Sequence, residues 1–335
     1  MKNLSAVGID TAKNSCYVVG FSATGEVVGR RRFGRVGLKR WLAKQKPLTV
    51  YLEACAGSHA WGRYCRGLGH EVKLIAPQFV KPYRLGEKND WNDALAIGVA
   101  GRQPTMRFVG IKSEAQQALQ SLHRVRQRAQ RERVAIANQM RGLLGEYGLV
   151  VGRSMRVLRE RLMEILADEE NGLPGMLREV LWDLYEDWQR VDARVAKYTK
   201  QLETLAAGDV QARALLALPG IGPVTATALV AEIADARVFR NGRQLAAYLG
   251  LVPRQHSTGG RERLLGISKR GNGYVRQLLI HGARTVIQHL GDKTDRTSCW
   301  TRALIARRGI NKATVALANK QARWAWVVMT RALEA

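Results

Sequence analysis

The chain has 335 residues, 46% of them hydrophobic, with 54 lysines and arginines against 28 aspartates and glutamates, a formal charge of +26. That length and apolar content suffice for two or three domains with real cores. A charge excess of this size self-repels unless a polyanion neutralises it, so nucleic acid is the expected partner. The eight tryptophans argue against a ribosomal or histone-like protein, and no run reaches the ~18 uncharged apolar residues of a membrane span.

The opening MKNLSAVGID lacks a signal-peptide layout, which predicts a cytoplasmic, nucleoid-associated protein with no membrane contact. The four cysteines show no CxxC spacing, so neither zinc nor a disulfide framework is expected. Charge divides the chain into three regions: residues 1–110 carry 18 basic and 7 acidic side chains, residues 111–205 carry 16 and 14, and the remainder carries 20 and 7.

In the first region LSAVGID, CYVVGFS and EVVGRRRF read as strands, with SATGE as a hairpin turn. LTVYLEA and HEVKLIAP are further strands, and GSHAWGRYCRGLG is a helix closed by glycine. A mixed α/β domain over residues 1–110 follows. The middle, residues 111–207, is helical. From Leu177 through Leu181, Leu184, Trp188, Val191, Val195, Tyr198 and Leu202 to Leu205 the spacing alternates four and three, a coiled-coil seam suited to dimerisation. An earlier helix over roughly 113–145 carries Arg124, Arg126, Arg128, Arg131 and Arg133. These read equally well as a solvated face or as a phosphate-tracking stripe. Residues 208–335 form a mainly helical domain. ALLALPGIGPVTATALVAEI fits a helix-hairpin-helix-like element, whose second helix N-terminus can hold a phosphate, or a plain turn between helices. Further apolar helices are predicted over about 272–290 and 312–333.

Four of the seven acidic residues in the first region sit in unusual places. Asp10 ends the apolar strand AVGID, and Glu53 lies inside LTVYLEA, where an unpaired carboxylate pays heavy desolvation. Asp90 and Asp93 in KNDWNDALAI stand three apart at a helix start and share a face. Singly, each has a bland role: a turn cap, a helix N-cap, or a partner for the helix dipole. Together they supply hard oxygen ligands for Mg2+, and a two-metal arrangement would clamp the attacking and leaving oxygens of a phosphodiester. RQHSTGGRERLLGISKRGNG is the other unusual stretch. By composition it is a flexible, basic, phosphate-binding loop bearing Arg254, Arg261, Arg263, Lys269 and Arg270. Ser257 within it either bonds a backbone group or acts as a nucleophile, and the adjacent His256 is poorly aimed to serve as its base.

GIDTAK, YLEACAGSHAW and KNDWNDALAI resemble the DEDD motif of the Piv-type invertases and related insertion-sequence transposases. LPGIGPVTA followed by YLGLVPRQHSTGGRERLLGISKRGN resembles the C-terminal domain of the same family. The resemblance implies a RuvC-like, RNase H-like N-terminal domain with Asp10, Glu53, Asp90 and Asp93 as catalytic metal ligands. It also implies a serine nucleophile that forms a phosphoserine intermediate. Ser257 matches that position, Thr258 is the near competitor, and the K-R-G twelve residues beyond Ser257 favours the serine. Further implied are donor and target double-stranded DNA, a guide (bridge) RNA, and a homo-oligomer built as a dimer of dimers. A junction-resolving endonuclease whose serine is structural, and a non-catalytic nucleic-acid scaffold, are the alternatives.

Overall fold

The computed structural model describes residues 1–333, and packing divides the chain into two compact units: residues 1–117 with 231–244, and residues 118–230 with the chain from 245 onward. The first unit runs β1 (Ala6–Thr11), β2 (Ser15–Phe21), β3 (Val27–Gly34), α1 (Arg35–Ala43), β4 (Thr49–Glu53), α2 (Ser58–Gly67), β5 (Glu71–Ile75), α3 (Pro77–Val80), α4 (Asp90–Gly101) and β6 (Phe108–Val109). Its six strands order as β3-β2-β1-β4-β5-β6. The first three form an antiparallel meander, β4 and β5 run parallel to β1, and β6 closes the edge antiparallel. The strands expected from sequence are all present. Neither α1 nor β6 was expected.

Period-two alternation sorts the sheet into two faces. Val7, Ile9, Cys16, Val18, Val50 and Leu52 pack with Leu38 and Leu42 of α1 and with Trp61 and Cys65 of α2. Ala6, Val19, Phe21 and Tyr51 point the other way, onto Ala94, Ile97 and Ala100 of α4. Helix α4 lies unusually close to the strands. A Cβ on Gly8 would come within 2.4 Å of the Ala94 carbonyl, and one on Gly98 within 2.0 Å of the Phe21 ring. The distant segment 231–244 joins this unit through a buried ion pair, Lys112 Nζ to Glu232 Oε2 at 3.2 Å. The Gln116 side-chain amide donates to the Ala234 carbonyl beside it, at 3.2 Å.

The helices that follow are α5 (Glu114–Glu146), α6 (Met155–Ala167), α7 (Gly175–Gly208), α8 (Val210–Leu215), α9 (Pro223–Glu232), α10 (Gly242–Tyr248), α11 (Gly273–Gln288), α12 (Arg296–Arg308) and α13 (Ile310–Arg331). Most of the expected α7 seam is buried within the chain. Leu181, Tyr185 and Trp188 pack with Met140 and Leu144 of α5 and with Leu158 and Leu162 of α6, while Val191 and Val195 meet Ala129. The unanticipated α6 supplies the cover that the spacing alone assigned to a dimer partner. The α8–turn–α9 element is present. Gly220, at φ +80°, packs directly against the Gly282 carbonyl, and the Pro219 carbonyl accepts a 2.8 Å hydrogen bond from Gln321. Among the described residues, no helix is long and apolar enough to cross a membrane.

Candidate active site

Strand register brings the carboxylates together. Ala6, Gly8 and Asp10 alternate on the α4 face of β1, and Tyr51 and Glu53 do so on the neighbouring β4. Helix α4 is capped by the Asn89 side chain, which accepts from the Asn92 amide at 2.9 Å. The cap role open to Asp90 therefore falls to Asn89, and Asp90 and Asp93 occupy the first turn. Because Gly8 and Gly98 let that helix settle onto the strands, both aspartates reach the Asp10 and Glu53 side.

The electrostatics record the convergence. Asp10 is pushed up to about 6, first by burial and then by the negative charges of Asp93, Asp90 and Glu53. Glu53 is raised by burial and by Asp93, and is pulled back by Arg84 and Lys88. Arg84 Nη1 also contacts Asp93 Oδ1 at 3.3 Å, with both side chains about three-quarters buried. Mutual repulsion of partly buried carboxylates is the kind of electrostatics that favours a bound positive charge. Among the described residues, no three carboxylate, imidazole or thiol groups are already arranged around one point to hold a metal ion. The side chains are nevertheless of a kind that suits a divalent cation: four carboxylates with hard oxygens, close enough to repel, with Arg84 and Lys88 partly compensating them. The sequence reading missed Arg84, since nothing in its spacing pairs it with Asp93.

In the second unit the stretch read as a flexible loop is a hairpin. Its strands are β7 (Pro253–Gln255) and β8 (Leu264–Ile267), with a Thr258–Arg261 bridge at the tip. Gly259 and Gly260, at φ +54° and +75°, supply the left-handed turn that other residues resist. Ser257 sits exposed beside the tip. Its Oγ accepts from the Gln255 side-chain amide at 3.0 Å and from the Arg263 backbone amide at 3.3 Å. Both local partners are donors, so the hydroxyl proton remains available and an alkoxide would be stabilised. Arg254, Arg261 and Arg263 are exposed on the same hairpin, and Lys269 and Arg270 are exposed beyond its base. On α5, Arg124, Arg128 and Arg131 face solvent. Arg126 instead donates to Thr199 Oγ1 at 2.8 Å and Arg133 to Asp192 at 2.6 Å. The five-arginine stripe is thus three free residues and two structural ones.

Comparison with known proteins identifies the family. Residues 7–148 match the DEDD transposase family of the IS110 type, and residues 212–298 match the transposase IS116/IS110/IS902 family. The chain is 48% identical over 330 residues to a probable family 20 transposase of Pseudomonas aeruginosa, covering 98% of each. It is 43% identical to the transposase for insertion sequence element IS1111A of Coxiella burnetii, over 99% of this chain and 91% of that protein. To the transposase for insertion sequence element IS1328 of Yersinia enterocolitica it is 40% identical, over 99% and 98%. These matches make the protein a transposase, an enzyme that cuts and rejoins DNA. Within that class it belongs to the IS110 family, whose DEDD domain points to a divalent cation as cofactor.

Proposed function

We propose that this transposase mobilises an insertion sequence by serine-mediated strand exchange, with Asp10, Glu53, Asp90 and Asp93 holding Mg2+ and Ser257 as the nucleophile. The observation that carries the reading is the cluster itself: a half-buried Asp10 in the combined field of the other three carboxylates. The strand order, an antiparallel meander followed by parallel β4 and β5, is consistent with the RNase H-like fold that the motifs suggest. When bound, the ion would supply charge neutralisation and Lewis acidity at the reacting phosphate.

The chain's own groups do the rest. Ser257 Oγ attacks a phosphodiester, forming an Oγ–P bond as the bond to one deoxyribose oxygen breaks. The Oγ proton leaves to solvent, and the departing oxygen is protonated. The Gln255 amide and the Arg263 backbone amide favour the deprotonated oxygen, while Arg254, Arg261 and Lys269 neutralise the phosphate. A hydroxyl from the exchanged strand then attacks the phosphoserine and releases Ser257. Within this reading the remaining exposed cations, Arg263, Arg270, Arg124, Arg128 and Arg131, track nucleic-acid backbone. A guide RNA would pair with donor and target DNA while the protein reads backbone and shape. Serine and carboxylate sites drawn from different subunits of a dimer of dimers would give the synaptic form. The α7 seam is largely covered within the chain, which leaves its half-buried and exposed positions, such as Leu184 and Leu205, for a subunit contact.

The test is covalent trapping. Wild-type protein should give a Mg2+-dependent protein–DNA adduct on a denaturing gel, lost in Ser257→Ala and in Asp10→Asn. A full-strength adduct with Ser257→Ala would refute the serine assignment. A discrete short RNA copurifying with the protein would support guidance, and random fragments would count against it.

A further inference from the structure

The antiparallel register places three side chains in one cross-strand row on the α4 face: Asp10 of β1 lies opposite Tyr17 of β2, which lies opposite Arg32 of the edge strand β3. Strands are about 4.8 Å apart, so Arg32 stands about 10 Å from Asp10 along the row. Arg30 lies opposite Val19, two residues along β3 and therefore on the same face, whereas Arg31 points to the opposite face with Val18. The row is ordered by aromatic contacts. The Tyr17 ring packs edge-on against Trp91 of α4, with centroids 4.9 Å apart, and the Arg32 guanidinium lies 5.6 Å from the Tyr17 centroid. Arg32 also donates to Ser15 Oγ at 3.1 Å. Arg30 and Arg32 are exposed, and among the described residues no acidic side chain ion-pairs with either. Free cations at the edge of a sheet, aligned with a carboxylate cluster on the same face, complement a chain of phosphates that ends at those carboxylates.

We infer that Arg32 and Arg30 form a phosphate rail on β3 that carries one DNA strand into the carboxylate cluster, Arg32 being held in position by the Tyr17 ring and Ser15. This rests on the proposed role of Asp10, Glu53, Asp90 and Asp93. The rail binds the strand beside the reacting phosphate and takes no part in bond making.

The experiment measures binding of a short fluorescein-labelled DNA strand to the full-length protein by anisotropy, in EDTA, as KCl is raised. Each phosphate contact on single-stranded DNA contributes about 0.7 to the slope of log K against log salt, so Arg30→Ala/Arg32→Ala should lower the slope by about 1.4. Arg30→Lys/Arg32→Lys should restore most of it, and Arg31→Ala, on the opposite face, should leave both slope and cleavage as in wild type. In the cleavage assay the double alanine variant should raise KM more than it lowers kcat. An unchanged slope in the double variant, or an equal loss in Arg31→Ala, overturns the rail. Asp10→Asn separates the two ideas. If it still cuts DNA the carboxylate reading fails, while the salt slope, read without metal, continues to decide the rail.

Discussion

Gly8→Ala tests the closeness on which the carboxylate site depends. Gly8 is on β1 facing α4, and an added Cβ would stand 2.4 Å from the Ala94 carbonyl oxygen, 2.6 Å from the Gly98 nitrogen and 2.8 Å from its Cα. All three are helix backbone, so no side chain can rotate away. An ordinary contact needs about 3.4 Å, and helix α4 must therefore lift by about 1 Å. Overpacking of that kind costs about 1–3 kcal/mol. The lift also carries Asp90 and Asp93 away from Asp10 and Glu53, and a misplacement of about 1 Å costs roughly 10²-fold in rate. Urea unfolding followed by tryptophan fluorescence gives the first number, and DNA cleavage at saturating Mg2+ gives the second. Gly67→Ala is the control: a Cβ there meets nothing within 4 Å, and stability and rate should hold. A Gly8→Ala protein that is destabilised yet cleaves at the wild-type rate would refute the claim that helix-to-strand closeness sets the site.

Three further outcomes are expected. Glu232→Gln strands the Lys112 ammonium, whose side chain is only 6% exposed, and should cost about 3–5 kcal/mol in urea melts, with Lys112→Met/Glu232→Leu recovering most of it. His123 is buried, Tyr274 Oη and Thr227 Oγ1 each lie 3.1 Å from its ring nitrogens, and burial and then Arg126 push it down to about 4. The unfolded chain, near 6.5, takes up the proton first. Stability should therefore be full above pH 6.5 and fall by up to about 3 kcal/mol as pH drops towards 4; His123→Asn, followed by thermal melts, should flatten that decline relative to wild type. Asn89→Ala removes the cap of α4 and should cost about 1 kcal/mol by urea titration; no loss would mean that the first turn is held by other contacts.

The sequence by itself determined β1 to β5 of the first unit, because alternating β-branched and aromatic residues bounded by turn signals are a local code. It also marked Asp10, Glu53, Asp90, Asp93 and Ser257, because a carboxylate in an apolar strand and a serine beside paired glycines stand out against their neighbours. Tertiary structure decided what those marks mean in space. A heptad spacing states which face of α7 must be covered but not by what, and α5 and α6 cover it from within the chain. The division of the α5 arginines into structural and free, the Arg84 contact to Asp93, and the capture of residues 231–244 by Lys112 all join residues remote in sequence. Side-chain periodicity extends only along one element, whereas the Asp10–Tyr17–Arg32 row exists only once the register of three strands is fixed.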